Sequence, residues 1–150
     1  MKKNIIAIAS LIIATSASAF EIGVVGSTDV AGKDTTAAGV TVSQKFGDGY
    51  GVGLTLDRSL NKGNDTNRIK LIGQRDVLTL GSLSFNAQGG AAYIRNAAGN
   101  DGYALVYGVG SEFKLTNSVT AVASLNRQIG QAKIESTNTN TASIGLNYSF

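Results

Sequence analysis

The sequence has no cysteine, no histidine and no proline. Without cysteine, the fold holds together with no disulfide, and thiolate metal sites are excluded. Without histidine there is no Ser-His-Asp site and no imidazole ligand for zinc. A Ser-Lys arrangement stays open on composition, but no motif points to one. Missing proline suits a chain built largely of paired strands, because proline cannot donate to a ladder. Charged residues make up only 15% of the chain. No stretch is long and apolar enough to cross a bilayer as a helix, which takes about 20 residues.

The first segment, MKKNIIAIASLIIATSASA, combines two lysines, an apolar run from Ile5 to Ala14, and small residues at Ala17 and Ala19. This three-part layout reads as a secretory signal peptide over residues 1–19, with a single domain over 20–150. Loss of Lys2 and Lys3 lowers the formal charge from +3 to +1, and no basic cluster remains that would suit nucleic acid. If the remainder enters a membrane, it does so as strands.

Alternation of apolar and polar residues recurs through the rest of the chain, interrupted by turn-rich gaps. Eight strands are expected, at Phe20–Thr28, Thr36–Phe46, Tyr50–Ser59, Asn67–Val77, Ser82–Ile94, Tyr103–Lys114, Val119–Gln128 and Asn140–Phe150. The first alternates least well. Short gaps (GDG, DVLTLG, KLTNS) alternate with longer polar ones (DVAGKD, LNKGNDT, RNAAGND, IGQAKIESTNTN). An up-and-down meander puts turns at one end and loops at the other, as in transmembrane barrels. NKGNDTN carries oxygen ligands for calcium, but a solvated loop is the favoured reading.

One face of these strands carries Val40, Val42, Leu54, Leu56, Leu71, Leu105 and their like; the other carries mostly glycine, serine, threonine, asparagine and glutamine. A soluble barrel would bury the first face and a membrane barrel the second. The interior of an eight-stranded barrel admits only what side chains fill, and small residues fit it. A solvent-facing surface would carry many more long charged residues. The polar face is therefore expected to be the lumen. Its charges are Lys45, Glu112 and Lys114 toward the turn end, and Asp57, Arg68 and Lys70 toward the loop end. Opposite charges in a narrow lumen are expected to pair, since unpaired burial is expensive. Arg58, Arg75 and Arg127 have the outward phase near strand ends, where a cation on the lipid face costs little. Phe46, Tyr50, Phe113, Tyr148 and Phe150 mark the turn end, and Tyr93 and Tyr103 the loop end, in the manner of interfacial girdles. Gly51-Val52-Gly53 and Gly108-Val109-Gly110 lie within strands and do not form phosphate loops.

The final run, NTNTASIGLNYSF, alternates to its last residue. Ile144, Leu146, Tyr148 and Phe150 resemble the C-terminal signature of bacterial outer-membrane barrels. Together with the signal peptide and the eight runs, the chain resembles the small OmpA/OmpX-type (opacity, porin-like) family. That resemblance implies an all-β fold, an eight-stranded antiparallel up-and-down transmembrane barrel. It also implies outer-membrane lipid, lipopolysaccharide and the barrel-assembly machinery as partners, with Ile144, Leu146, Tyr148 and Phe150 as the assembly signal. The gaps at the loop end are shorter than in many relatives, and no peptidoglycan-binding domain or cell-wall anchoring role is expected. No cofactor, metal or catalytic residue is expected, and oligomeric state stays open. Three functions remain: a structural barrel with a plugged polar lumen, a narrow pore for water or small ions, and a soluble ligand-binding barrel.

Overall fold

The computed structural model describes residues 20–30, 36–60, 66–96, 98–130 and 138–150. The signal-peptide segment and the NKGND part of the second polar loop lie outside the described residues. Eight strands form one closed antiparallel barrel in chain order: β1 (Phe20–Asp29), β2 (Thr36–Phe46), β3 (Tyr50–Ser59), β4 (Asn67–Leu80), β5 (Leu83–Arg95), β6 (Asp101–Lys114), β7 (Val119–Gly130) and β8 (Thr139–Ser149). The terminal strand does close on the first. β8 pairs with β1 from Glu21↔Ser149 to Asp29↔Thr141, and the Phe150 N–H donates to the Phe20 carbonyl at 3.1 Å.

The register fixes the strand tilt. The row of partners Tyr50, Arg75, Ala87, Val109, Leu125, Ala142, Thr28, Thr36 circles the barrel once. It returns to β3 opposite Leu60, whose N–H bonds the Thr36 carbonyl, ten residues beyond Tyr50. A rise of ~3.3 Å per residue against a strand spacing of ~4.8 Å makes this stagger a tilt of about 40°. Each residue then climbs ~2.5 Å along the axis, so ten residues rise about 25 Å, the height of the apolar band of a membrane barrel.

The exposure pattern settles which face is inside. Leu71 and Leu105 are 43% and 54% exposed, Val109 and Leu125 both 58%, and Ile144 72%. The buried polar side chains include Glu21, Asp57, Arg68, Asn86, Glu112, Gln128 and Asn147. The polar phase is the lumen and the apolar phase is the outer surface. A monomer in water rarely exposes so continuous an apolar face.

The expected short gap DVLTLG is corrected by the structure. β4 continues to Leu80, and the turn is the two residues Gly81–Ser82 between the paired Leu80 and Leu83. Gly81 has φ 61, the left-handed conformation that a two-residue hairpin with glycine at its first position requires. The register shifts at Val77, between Asp76↔Asn86 and Leu78↔Phe85. This bulge inverts the phase, so that Leu78 and Leu80 face outward where an unbroken alternation would put Val77 and Thr79. The extra residue disguises the strand as a turn in the sequence. At the other tight turn, Gly47–Gly49, Asp48 and Gly49 both take positive φ (64 and 75).

The tilt also orders the aromatic rings by height. Phe20, Phe46, Tyr50, Phe85, Phe113, Tyr148 and Phe150 all face outward within about 6 Å of one level at the turn end. Phe150 touches both Phe20 and Tyr148, with ring centroids 6.3 and 5.0 Å apart. The loop end has the tilted ring pair Tyr93–Tyr103 at 5.5 Å. This asymmetric banding yields a test. Leu125→Arg, at mid-height, is expected to cost about 2–4 kcal/mol in urea titrations of vesicle-embedded protein, and Phe46→Arg, at the turn-end belt, about 1 kcal/mol or less. Equal costs would remove the membrane band from that height.

Candidate functional site: the lumen

The inward side chains sort into three tiers. At the turn end, Glu21 (β1), Lys45 (β2), Asp76 (β4), Glu112 (β6) and Asn147 (β8) lie within about 4 Å of one height by the tilt estimate. The Lys45 ammonium pairs with the Glu112 carboxylate. β2 and β6 stand four strands apart in a ring of eight, so this pair crosses the bore on a diameter. Gln74 Nε2 donates to the other oxygen of Glu112 at 2.7 Å. Glu21 accepts from Asn147 Nδ2 (3.0 Å), Ser43 Oγ and Ser149 Oγ (both 3.2 Å), tying β1, β2 and β8 together at the closing seam.

The loop-end tier is built differently. Asp57 on β3 faces its direct partner Arg68 on β4, with Nε–Oδ1 at 2.5 Å, and its other oxygen lies 2.7 Å from Lys70 Nζ. One buried carboxylate thus serves two cations on a single wall and does not cross the bore. Beside them Ile94, Ala92, Ala104 and Val106 form a buried apolar cluster with Ile72. This interior patch on β4, β5 and β6 is absent from the expected lumen. The run AAYI at residues 91–94 is apolar on both phases, so alternation gives no sign that Ala92 and Ile94 point inward.

Between the tiers the wall is small and uncharged. Gly90 and Gly108 face inward where an added Cβ would collide with the backbone carbonyls of Leu71 and Leu125 on the neighbouring strands. A cavity of about 140 Å³ runs through this section, from Asp57 and Lys70 to Glu112 and Asn147, lined by Thr41, Thr55, Gln88, Ser124 and Ser143 among others. Asn86 Nδ2, Asn126 Oδ1 and Asn147 Oδ1 belong to lining residues and have no protein partner. A polar cavity with such groups suits water.

Of the six charges read from the sequence, the structure brings Lys45 to Glu112 and gathers Asp57, Arg68 and Lys70. Lys114 stands exposed at the turn-end rim. Glu21, Asp29 and Asp76 also face the lumen and were not singled out. Glu21 lies in the strand with the poorest alternation, and its partners Ser43 on β2 and Ser149 on β8 reveal its phase. The assembly-signal residues Ile144, Leu146, Tyr148 and Phe150 all project outward, 49–78% exposed. No group of three or more acidic residues among those described can hold a metal ion.

An antiparallel eight-stranded barrel with an apolar exterior, a polar bore and an aromatic belt defines the fold of the small outer-membrane barrels. Solved structures agree with it. The N-terminal β-barrel domain of Pseudomonas aeruginosa OprF superposes with a TM-score of 0.74 at 18% identity, covering 89% of this chain and 100% of that domain. The Neisserial surface protein NspA gives 0.61 at 13% identity over 89% and 96% of the two chains. The Yersinia pestis outer-membrane protein Ail gives 0.57 at 14% identity over 89% and 100%. At these identities the likeness is one of fold. No protein-family model matches the chain, and no curated protein matches it.

The loop-end trio gives a second test. Asp57→Asn leaves Arg68 and Lys70 buried without their carboxylate, and is expected to cost about 3–5 kcal/mol. A double variant, Asp57→Asn with Lys70→Met, should recover part of that loss. A cost under about 1 kcal/mol for Asp57→Asn, measured by denaturant unfolding in detergent micelles, would show that the trio is solvated.

Proposed function

We propose that this chain is an integral outer-membrane β-barrel whose role is structural and non-catalytic, with a polar lumen plugged at the turn end. The observation that carries this reading is the Lys45–Glu112 pair across the bore, braced by Gln74, inside a barrel whose outer face is apolar. A pair on a diameter obstructs the path, and opening it would leave the buried Glu112 carboxylate without its cation, which is costly. The exposed leucines and valines oppose the soluble ligand-binding alternative, since a water-facing surface of that kind promotes aggregation.

In this reading residues 1–19 direct export and are removed. Ile144, Leu146, Tyr148 and Phe150 form the strand face offered to the barrel-assembly machinery, and the outward apolar band meets outer-membrane lipid and lipopolysaccharide. Support for the assembly role is the outward projection of all four side chains on the closing strand.

The cavity between the two charged tiers favours a second reading, a narrow pore for water or small ions. Planar-bilayer recording of purified monomer separates the two. The plugged barrel is expected to give no steady conductance steps, whereas Glu112→Ala, which frees the bore of its crossing pair, gives small ones. Steady steps from the unaltered protein would overturn the plugged reading.

A further inference from the structure

On the outer face, a shallow open groove runs along β4 and β5, and its outward residues are Tyr50, Arg75, Gly73, Ala87 and Gly89. Gly73 and Gly89 are direct partners, so two bare backbones lie side by side as its floor. Val52 pairs with Gly73 on one side and Tyr107 with Gly89 on the other, so these side chains flank the floor. Glycine inside a strand weakens it, and often marks the close approach of a ligand. From the tilt, the groove spans about 11 Å in height, from the turn-end aromatic belt toward mid-height. That is close to the depth of one leaflet of a hydrocarbon core ~30 Å thick.

Arg75 stands at the foot of this groove. Its guanidinium lies over the Tyr50 ring, 5.1 Å from the centroid, and no carboxylate among the described residues pairs with it. Asp76 and Asp57 turn into the lumen, so β3, β4 and β5 carry no outward acid. A guanidinium held against an aromatic face keeps its hydrogen-bond fork free for a planar or tetrahedral oxyanion.

We propose that the β4–β5 groove binds one anionic glycerophospholipid of the turn-end leaflet, with an acyl chain on Gly73, Ala87 and Gly89 and the phosphate on Arg75. This rests on the membrane-barrel reading above. A second copy of the chain fits the groove less well. A two-fold axis along the membrane normal would bring two Arg75 cations to the same level, with no outward carboxylate between them.

The sequence has no tryptophan, so one introduced indole is a unique reporter. Val52→Trp places it beside Gly73 at the edge of the groove floor, and Val24→Trp on β1, four strands from β5, serves as the control. The full protein is refolded into phosphatidylcholine vesicles with a minor fraction of phosphatidylglycerol whose chains are brominated and quench indole on contact. The expected result is a local enrichment of about fivefold at position 52 over position 24, the factor equivalent to about 1 kcal/mol for one cation near anionic headgroups. Arg75→Gln should abolish the excess. Gly89→Leu should too, and an added Cβ there meets nothing within 4 Å, so the barrel tolerates it. Equal quenching at the two positions, an excess that survives Arg75→Gln, or cross-linking of two copies through Gly89→Cys without lipid enrichment would each overturn the site. Absence of quenching at both positions would instead overturn the membrane barrel itself.

Discussion

Everything in this molecule depends on the closure of β8 onto β1. A strand edge in hydrocarbon leaves a row of N–H and C=O groups with nothing to bond, and each costs several kcal/mol. Nine residue pairs from Glu21↔Ser149 to Asp29↔Thr141 remove that edge. Closing eight strands at a stagger of ten residues then dictates the tilt, the bore and the height at which each side chain sits. The two charged tiers and the turn-end belt are consequences of that register. Residues distant in sequence, such as Glu21, Lys45 and Glu112, share a level because the strands are inclined together.

The narrow bore explains the composition of the polar face. Eight strands leave a space that side chains almost fill, so a ring of long residues at every level would not fit. The middle tier is therefore mostly glycine, serine and threonine, and long charged side chains lie toward the two ends. There they must pair, because the lumen hydrates them poorly. The two ends solve this differently. Lys45 and Glu112 reach across the barrel, which joins opposite walls. Asp57, Arg68 and Lys70 satisfy one another along one wall, and Ile94 and Val106 occupy neighbouring space without needing partners.

Strand number, order and inward face were legible in the sequence because period-two alternation survives in seven of the eight runs, and because size as well as polarity separates the faces. β2 and β3 have the bounds that alternation alone assigns. What was hidden had local causes. One added residue at Val77 broke the period and made the end of β4 look like a turn. Apolar residues on both phases at 91–94 concealed the inner apolar patch. Glu21 was hidden for a third reason: its own strand alternates poorly, and its phase is set by its partners Ser43 on β2 and Ser149 on β8. Gln44 is a further case. It has the outward phase yet is almost completely buried, in the aromatic belt beside its partner Phe20.

The two rims are unequal, and the inequality has a physical sense. Seven aromatic rings ring the turn end, and Phe150 ties the closing strand to both Phe20 and Tyr148. Aromatic rings favour the interface, where an apolar body and a polar edge are both satisfied. The loop end has Tyr93 and Tyr103 on one hairpin, with Arg58 and Arg127 near its level on others. Arginine stems can lie along hydrocarbon while their heads reach water. One end is thus fixed in depth by rings around most of the circumference, and the other by arginines and a single pair of tilted rings. The ring-belted end is also the end where Lys45 and Glu112 bridge the bore and Glu21 binds the seam. Belt, crossing pair and seam contacts coincide there, whereas the loop end is held by the Asp57 trio and the apolar cluster around Ile94.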